Sequence, residues 1–231
     1  MLLSAESDNP KLNKKPRIAA KYCNSGLSLY PGAKVCPWIT PSCGPNCLTF
    51  CGLGGLYPNI NEARKRKTEY LFADPELFRA ELSVELRKHE KAAVNKNMRP
   101  VCRLNMFSDL SWWTIIRKFP EVLFYDYTKG MPRLMKLLEY KKKGLCLNYD
   151  LTFSQSERNE LDCIKALAMG YNVATIFRSK KVIPKTWLGR PVIIGDEHDL
   201  RFLDPKGPRG YVIALTAKGK AKQDKTGLVK L

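Results

Sequence analysis

Residues 121–170 read EVLFYDYTKGMPRLMKLLEYKKKGLCLNYDLTFSQSERNELDCIKALAMG, and this stretch decides the fold. EVLFYDYTK (121–129) has the β-branched and aromatic content of a strand, and PRLMKLLEYKK (132–142) reads as a helix. The pair then repeats. GLCLNYDLTFS (144–154) reads as a strand and QSERNELDCIKALAMG (155–170) as a helix closed by Gly170. Strand and helix in strict alternation is the pattern of a parallel sheet joined by right-handed crossovers.

Outward from this stretch the same unit continues. Upstream, VCRLNMFSDL (101–110) is strand-like and SWWTIIRKFP (111–120) is an aromatic helix ended by Pro120. Before them, FADPELFRAELSVELRKHEKAAV (72–94) predicts a helix with Asp74 as N-cap, Pro75 in the first turn and an apolar stripe at Phe78, Leu82 and Leu86. Another strand is predicted near Arg17–Cys23. Downstream, NVATIFRS (172–179), PVIIGDEHDLRFLDP (191–205) and GYVIALTAKG (210–219) complete about seven strands. No strand is followed by a Gly-x-Gly-x-x-Gly turn or a Walker loop, which argues against a doubly wound sheet. A chain of 231 residues is also short for eight βα units. The fold class is therefore α/β, a partial βα barrel of six or seven mostly parallel strands. One domain spans residues 17–231, and residues 1–16 are read as a disordered basic arm.

Between Cys36 and Gly52 the chain reads CPWITPSCGPNCLTFCG, which places Cys36, Cys43, Cys47 and Cys51 in one loop after the first strand. Soft thiolates this close together suit Zn²⁺ or an iron–sulfur cluster. The six-, three- and three-residue gaps match neither a zinc ribbon nor a ferredoxin run. Pro37, Pro41, Pro45, Gly44 and Gly52 bend the backbone so that it can wrap a metal. The alternative is a set of free cysteines or disulfide partners, the latter disfavoured because nothing marks the chain as secreted. Cys23, Cys102, Cys146 and Cys163 stand singly in apolar surroundings and read as small core residues.

Forty Lys and Arg against twenty-two Asp and Glu give a formal charge of +18. The excess recurs in the N-terminal arm, Arg64–Lys67, Lys141–Lys143, Lys180–Lys185 and the tail from Lys218, which favours a polyanionic partner, nucleic acid or nucleotide, over the alternative that these runs merely solvate surface faces. No run of eighteen apolar residues exists and the first sixteen residues lack the pattern of a signal peptide, so the expected location is the cytoplasm, with no membrane partner.

In a βα barrel, function collects where the strands end. The candidate catalytic residues there are Asp109, Asp126, Lys129 and Asp196, with Tyr127, Ser154, Arg178, His198 and Lys218 as candidate substrate contacts. Blander roles compete: Asp109 before SWW and Ser154 before the next helix fit N-caps, and GDEHD fits a turn. Asp126 has no cap or turn to serve within its strand, so an inward-facing, functional carboxylate is expected.

The cysteine loop together with RLNMFSD, FYDYTKG, LTFSQSERN and the ending DEHDLRFLDP…YVIALTAKGKAKQDKTGLV resembles the gene-product-eighty-eight family of bacteriophage proteins, from about Leu27 to the C-terminus. Its strongest parts are Cys36, Cys43 and Cys47, the Tyr127–Lys129 triplet and the final AKG; Cys51 departs from the family's pattern. The resemblance implies a phage origin and action in the infected host cell, without a reaction. A weaker similarity of architecture links the chain to radical S-adenosylmethionine enzymes, partial barrels with three cysteines after the first strand. It implies an iron–sulfur cluster on Cys36, Cys43 and Cys47, with S-adenosylmethionine as a possible cofactor, although the cysteine spacing differs and no Gly-Gly-Glu follows the second strand. The leading expectation is thus a metal-dependent enzyme acting on a nucleotide or nucleic acid. The alternatives are a transglycosylase-like base-modifying barrel, with Asp126 or Asp196 as nucleophile and structural zinc, and a zinc-stabilised nucleic-acid-binding or host-takeover protein.

Overall fold

A computed structural model describes residues 1–5 and 21–231. In chain order it contains β1 (Leu3–Ala5), β2 (Tyr22–Leu27), α1 (Leu53–Leu56), α2 (Pro58–Ala73), α3 (Pro75–Asn95), β3 (Arg99–Arg103), α4 (Trp113–Lys118) and β4 (Leu123–Thr128). There follow α5 (Met131–Lys142), β5 (Tyr149–Ser154), α6 (Glu160–Ala168), β6 (Val173–Phe177), β7 (Thr186–Trp187), β8 (Arg190–Ile194), β9 (Val212–Thr216) and β10 (Val229–Lys230). The strands form one sheet in the order β1-β2-β3-β4-β5-β6-β9-β8-β7, with β10 paired to β6. From β2 to β8 every neighbour is parallel, as the alternation of strands and helices requires. The sheet does not close, and the architecture is a partial α/β barrel.

The order departs from a simple barrel in one place: β9 lies between β6 and β8. β8 is displaced outward and pairs antiparallel with β7 through a tight turn at Leu188 and Gly189, both with positive φ. The strand expected over 191–205 ends at Ile194, and residues after it form a loop whose placement matters below.

Leu3–Ala5 is a strand and not part of a disordered arm. The backbone N–H groups of Leu2 and Leu3 donate to the Glu85 carboxylate at 2.6 and 2.8 Å, both side chains are buried, and β1 pairs antiparallel with β2. The rest of that expected arm, residues 6–16, lies outside the described residues. The first parallel strand starts at Tyr22, and residues 17–20 of its expected range are likewise outside them. α3 forms as its sequence dictates: Asp74 accepts from the Leu77 N–H at 2.9 Å, and Phe78, Leu82 and Leu86 are fully buried. α2 gives little periodic signal, because Leu71 is its one buried residue.

Alternation along the strands divides the core. Cys102, Phe124, Leu151 and Phe153 face the helices, where they meet Leu82, Leu134, Leu137 and Leu167, while Val101 and Tyr125 face the inner side with Leu200. Each fully buried Leu or Phe contributes about 1.5–3 kcal/mol, so the helix-side cluster dominates stability. Cys102 and Cys163 belong to that cluster, and burial pushes both thiols up to about 12.

Candidate functional site

The loop from Cys36 to Cys51 is a chain of turns, closed by bonds such as Cys36 N–H to Gly32 O, Ile39 N–H to Cys36 O and Cys47 N–H to Gly44 O. Three distant segments anchor it. Asp109 N–H donates to Val35 O at 2.8 Å, Thr40 Oγ1 donates to Glu157 Oε2 at 2.9 Å, and Asn46 Nδ2 donates to Asp224 Oδ1 at 3.2 Å. So held, the loop brings Cys36, Cys43 and Cys47 to one cavity of about 300 Å³. The Cys36 thiol donates to Phe107 O at 3.5 Å, and burial, with neighbouring Cys47, Cys43 and Asp109, pushes it up to about 11 against the backbone hydrogen bond at Gly32. Burial disfavours the thiolate there, as it does at Cys102 and Cys163 in the core. Among the described residues, no three His, Cys, Asp or Glu side chains form a group able to hold a metal ion.

Cys51 is elsewhere. It lines a larger cleft that adjoins the cavity, and it packs on Gly219, where a Cβ would stand 2.1 Å from its sulfur. The four-cysteine set expected from the sequence thus divides into three and one.

The carboxyl ends of β3, β4, β5 and β9 complete the cavity. Tyr127, Lys129, Ser154 and Thr216 line it, joined by Asp109, Asp196, His198 and Lys218. Ser154 therefore does not cap α6, which starts at Glu160 with Asn159 at its N-cap. Asp196 accepts from Thr216 N–H at 3.0 Å and Thr216 Oγ1 at 2.7 Å, while its other oxygen lies 3.7 Å from Lys218 Nζ. The fully buried Arg201 shapes this rim: its guanidinium donates to Gly195 O at 2.9 Å and to His198 O, and pairs with Asp204 at 3.2 Å. Gly195 is required here, since a Cβ would stand 2.6 Å from Arg201 Nη1 and 2.4 Å from Ile213. Burial and the Arg201 charge lower the His198 pKa, so its ring is neutral at pH 7 and available as acceptor or donor. Across the cavity, Arg103 pairs with Asp199 at 2.7 Å and lies over the Tyr127 ring at 4.7 Å.

Asp126 corrects the sequence reading. It shares the helix-facing phase of β4 with Phe124, is fully buried, and does not line the cavity. It accepts from Asn105 N–H at 2.8 Å, Asn105 Nδ2 at 2.9 Å, Tyr149 OH at 3.1 Å and Arg133 Nη2 at 3.4 Å. Burial raises its pKa, and Arg133, Arg103 and Asn105 oppose that rise. A carboxylate so enclosed cannot attack a sugar, which removes it as the nucleophile of a transglycosylase-like site. Asp109 differs from expectation too. It does not cap α4; its oxygens accept from Thr128 Oγ1 and Lys129 N–H, each at 3.0 Å, and from Arg133. Its carboxylate ties the β3–α4 loop to the end of β4. Arg178 also stays away from the cavity, donating to the backbone carbonyls of Lys222 and Asp224.

Three residues central to the site escape the sequence reading: Asn105, Arg133 and Arg103. Asn105 lies within RLNMFSD and organises it, its side-chain oxygen accepting from Ser108 Oγ at 2.8 Å and Leu110 N–H at 2.8 Å. Arg133 follows the Tyr127–Lys129 triplet and joins Asp109 to Asp126. The RLNMFSD, FYDYTKG and cysteine-loop segments thus meet at one place, with a Trp38 ring carbon 2.3 Å from where a Cβ on Gly130 would stand. The comparison with protein families agrees over nearly the whole length. This chain belongs to the Gene product 88 family, whose family model matches residues 1–230. The family is one of bacteriophage proteins. No curated protein and no solved structure gives a match. Among the described residues of this family member, no helix is long and apolar enough to cross a membrane.

Proposed function

We propose that this phage protein is an enzyme of the host cytoplasm in which Cys36, Cys43 and Cys47 hold an iron–sulfur cluster, and that its substrate is a nucleotide or nucleic acid. One observation carries the reading: three thiols and the polar ends of parallel strands share one cavity, while the fourth cysteine of the loop lines another cleft. Structural zinc wants four closed ligands, whereas three thiolates on a four-iron cluster leave one iron open. Three thiols are the soft donors such a cluster takes, and the loop that carries them would have to draw their sulfurs together to hold it. When bound, such a cluster supplies one-electron chemistry, including that of S-adenosylmethionine.

The chain's own groups supply the rest. Arg103, Lys129 and Lys218 offer cationic contacts for phosphate or carboxylate oxygens. Asp196, held by Thr216, and neutral His198 are the groups able to orient or exchange a proton with substrate. Asp109 is a positioning residue that fixes Lys129 and, through Val35, the start of the cysteine loop. A cavity of about 300 Å³ takes a group of nucleoside size. The basic surface and net charge of +18 support a polyanionic substrate. The test is anaerobic reconstitution with iron and sulfide, then reduction by dithionite with S-adenosylmethionine present. Formation of 5′-deoxyadenosine supports the reading; protein that takes up zinc alone, without colour or turnover, overturns it.

A further inference from the structure

Beside the barrel cavity lies an open cleft of about 1010 Å³ between the cysteine loop, α1, α2 and the C-terminal segment. Among the described residues its lining holds Arg64, Lys67, Lys218 and Lys220 and no carboxylate. Between these cations are exposed apolar side chains: Phe50, Leu53 and Leu56 are 37%, 44% and 71% accessible. The cleft and the cavity share Leu48, Phe107 and Lys218, so the two spaces adjoin along one border. Arg64 is fixed there by Phe107 beneath it, 4.4 Å from the ring centre, and by bonds to Thr49 O and Asn61 Oδ1.

We infer that this cleft holds single-stranded nucleic acid, with the strand crossing the shared border so that one nucleotide enters the barrel cavity. This rests on the reading of that cavity as the reaction site, and it narrows the substrate from nucleotides in general to a polynucleotide. The chemistry decides the occupant. A cationic lining attracts phosphates, with Lys218 also near the Asp196 carboxylate beyond that lining, and exposed aromatic and aliphatic groups suit the faces of unstacked bases. A duplex keeps its base faces stacked inside and would leave Phe50, Leu53 and Leu56 against water. An acidic peptide would satisfy the lysines and lacks flat groups for Phe50.

Binding of a fluorescein-labelled oligothymidylate longer than the ~16-nucleotide sites of single-strand binders, followed by anisotropy across a salt series, tests the inference. Wild-type protein binds at low salt, with a log–log salt slope of up to about −3 if all four cations contribute. Lys220→Glu weakens binding about tenfold and flattens the slope by about 0.7 or more. Phe50→Ala weakens it by about fivefold or more through lost stacking. Lys91→Glu, an exposed control outside the cleft, stays within about twofold of wild type. Absence of binding at low salt, equal losses in the Lys91 control, or equal affinity for a duplex of the same length overturns the inference. Iron content is read on the same samples. An iron-loaded protein with unaltered binding in Lys220→Glu fails this inference alone, whereas a metal-free protein that keeps the cleft pattern supports it and fails the cluster reading alone.

Discussion

Asp126 and Asp196 both stand near the carboxyl ends of parallel strands, yet they lead different lives. Asp126 faces the helices, has no accessible surface, and accepts from Asn105, Tyr149 and Arg133. Asp196 faces the cavity, anchors one oxygen on Thr216 and presents the other toward Lys218. Asp126 lies within β4 on its helix-facing phase, whereas Asp196 lies in the loop just past the end of β8. A carboxylate turned to the helix layer must be saturated by its own protein and becomes scaffold; one turned to the cavity keeps capacity for a ligand.

The largest effect follows from breaking the scaffold side. Asp126→Ala leaves the buried Arg133 cation with Asp109 as its remaining carboxylate partner, and the cost is about 3–5 kcal/mol, read by denaturant unfolding. A loss under about 1 kcal/mol would show that the network is not scaffold. Next is Gly130→Ala, at the turn between the two sides. Its methyl carbon would stand 2.3 Å from the Trp38 ring, so the ring must move, at about 1–3 kcal/mol and with a change in tryptophan emission. Asp196→Asn on the cavity side should change stability by no more than about 1 kcal/mol while S-adenosylmethionine turnover falls about tenfold or more. If it unfolds the protein instead, the contrast between the two carboxylates fails.

The smallest effect is a pH dependence on the scaffold side. Burial lowers the His89 pKa below its ordinary value of 6.5, against a hydrogen bond to Val101 O at 3.0 Å. A depressed folded value means that the stability contributed by this ring is complete above pH 6.5 and is lost as pH falls through the folded value. His198 is shifted in the same direction by burial and Arg201. Asp204 opposes both: burial holds it up to about 6, so its contribution is complete below its ordinary 3.8 and lost as pH rises through 6. Subtracting the His89→Gln melting profile from that of wild type isolates the His89 part. That difference should shrink on acidification; a difference that grows contradicts the buried, neutral ring.

The alternation of strands and helices over residues 101–170 made the parallel sheet legible, because each segment keeps one period throughout. β5 also reveals its phase: Tyr149, Leu151 and Phe153 alternate with Asp150, Thr152 and Ser154, so Ser154 is readable as inward-facing. β4 does not. Its two sets, Leu123, Tyr125, Tyr127 and Phe124, Asp126, Thr128, both mix aromatic with polar groups, and the phase that buries Asp126 is fixed by Arg133 and Asn105 from other elements. Arg133 itself looks like any basic residue on a surface helix. That Cys36, Cys43 and Cys47 line one cavity accords with their bent loop, whereas the place of Cys51 depends on contact with Gly219 far along the chain. Long-range contacts of this kind leave no local period.

The central claim is that three cysteines, and not four, hold an iron–sulfur cluster at the barrel mouth. Iron, sulfide and zinc content with visible absorption, measured on anaerobically prepared wild type and on the Cys36→Ser, Cys43→Ser, Cys47→Ser and Cys51→Ser variants, tests it most directly. The account predicts brown, iron-loaded wild type and Cys51→Ser, with colour lost in each of the other three. A colourless, zinc-loaded wild type, or a Cys51→Ser variant that loses its metal as the others do, would contradict it.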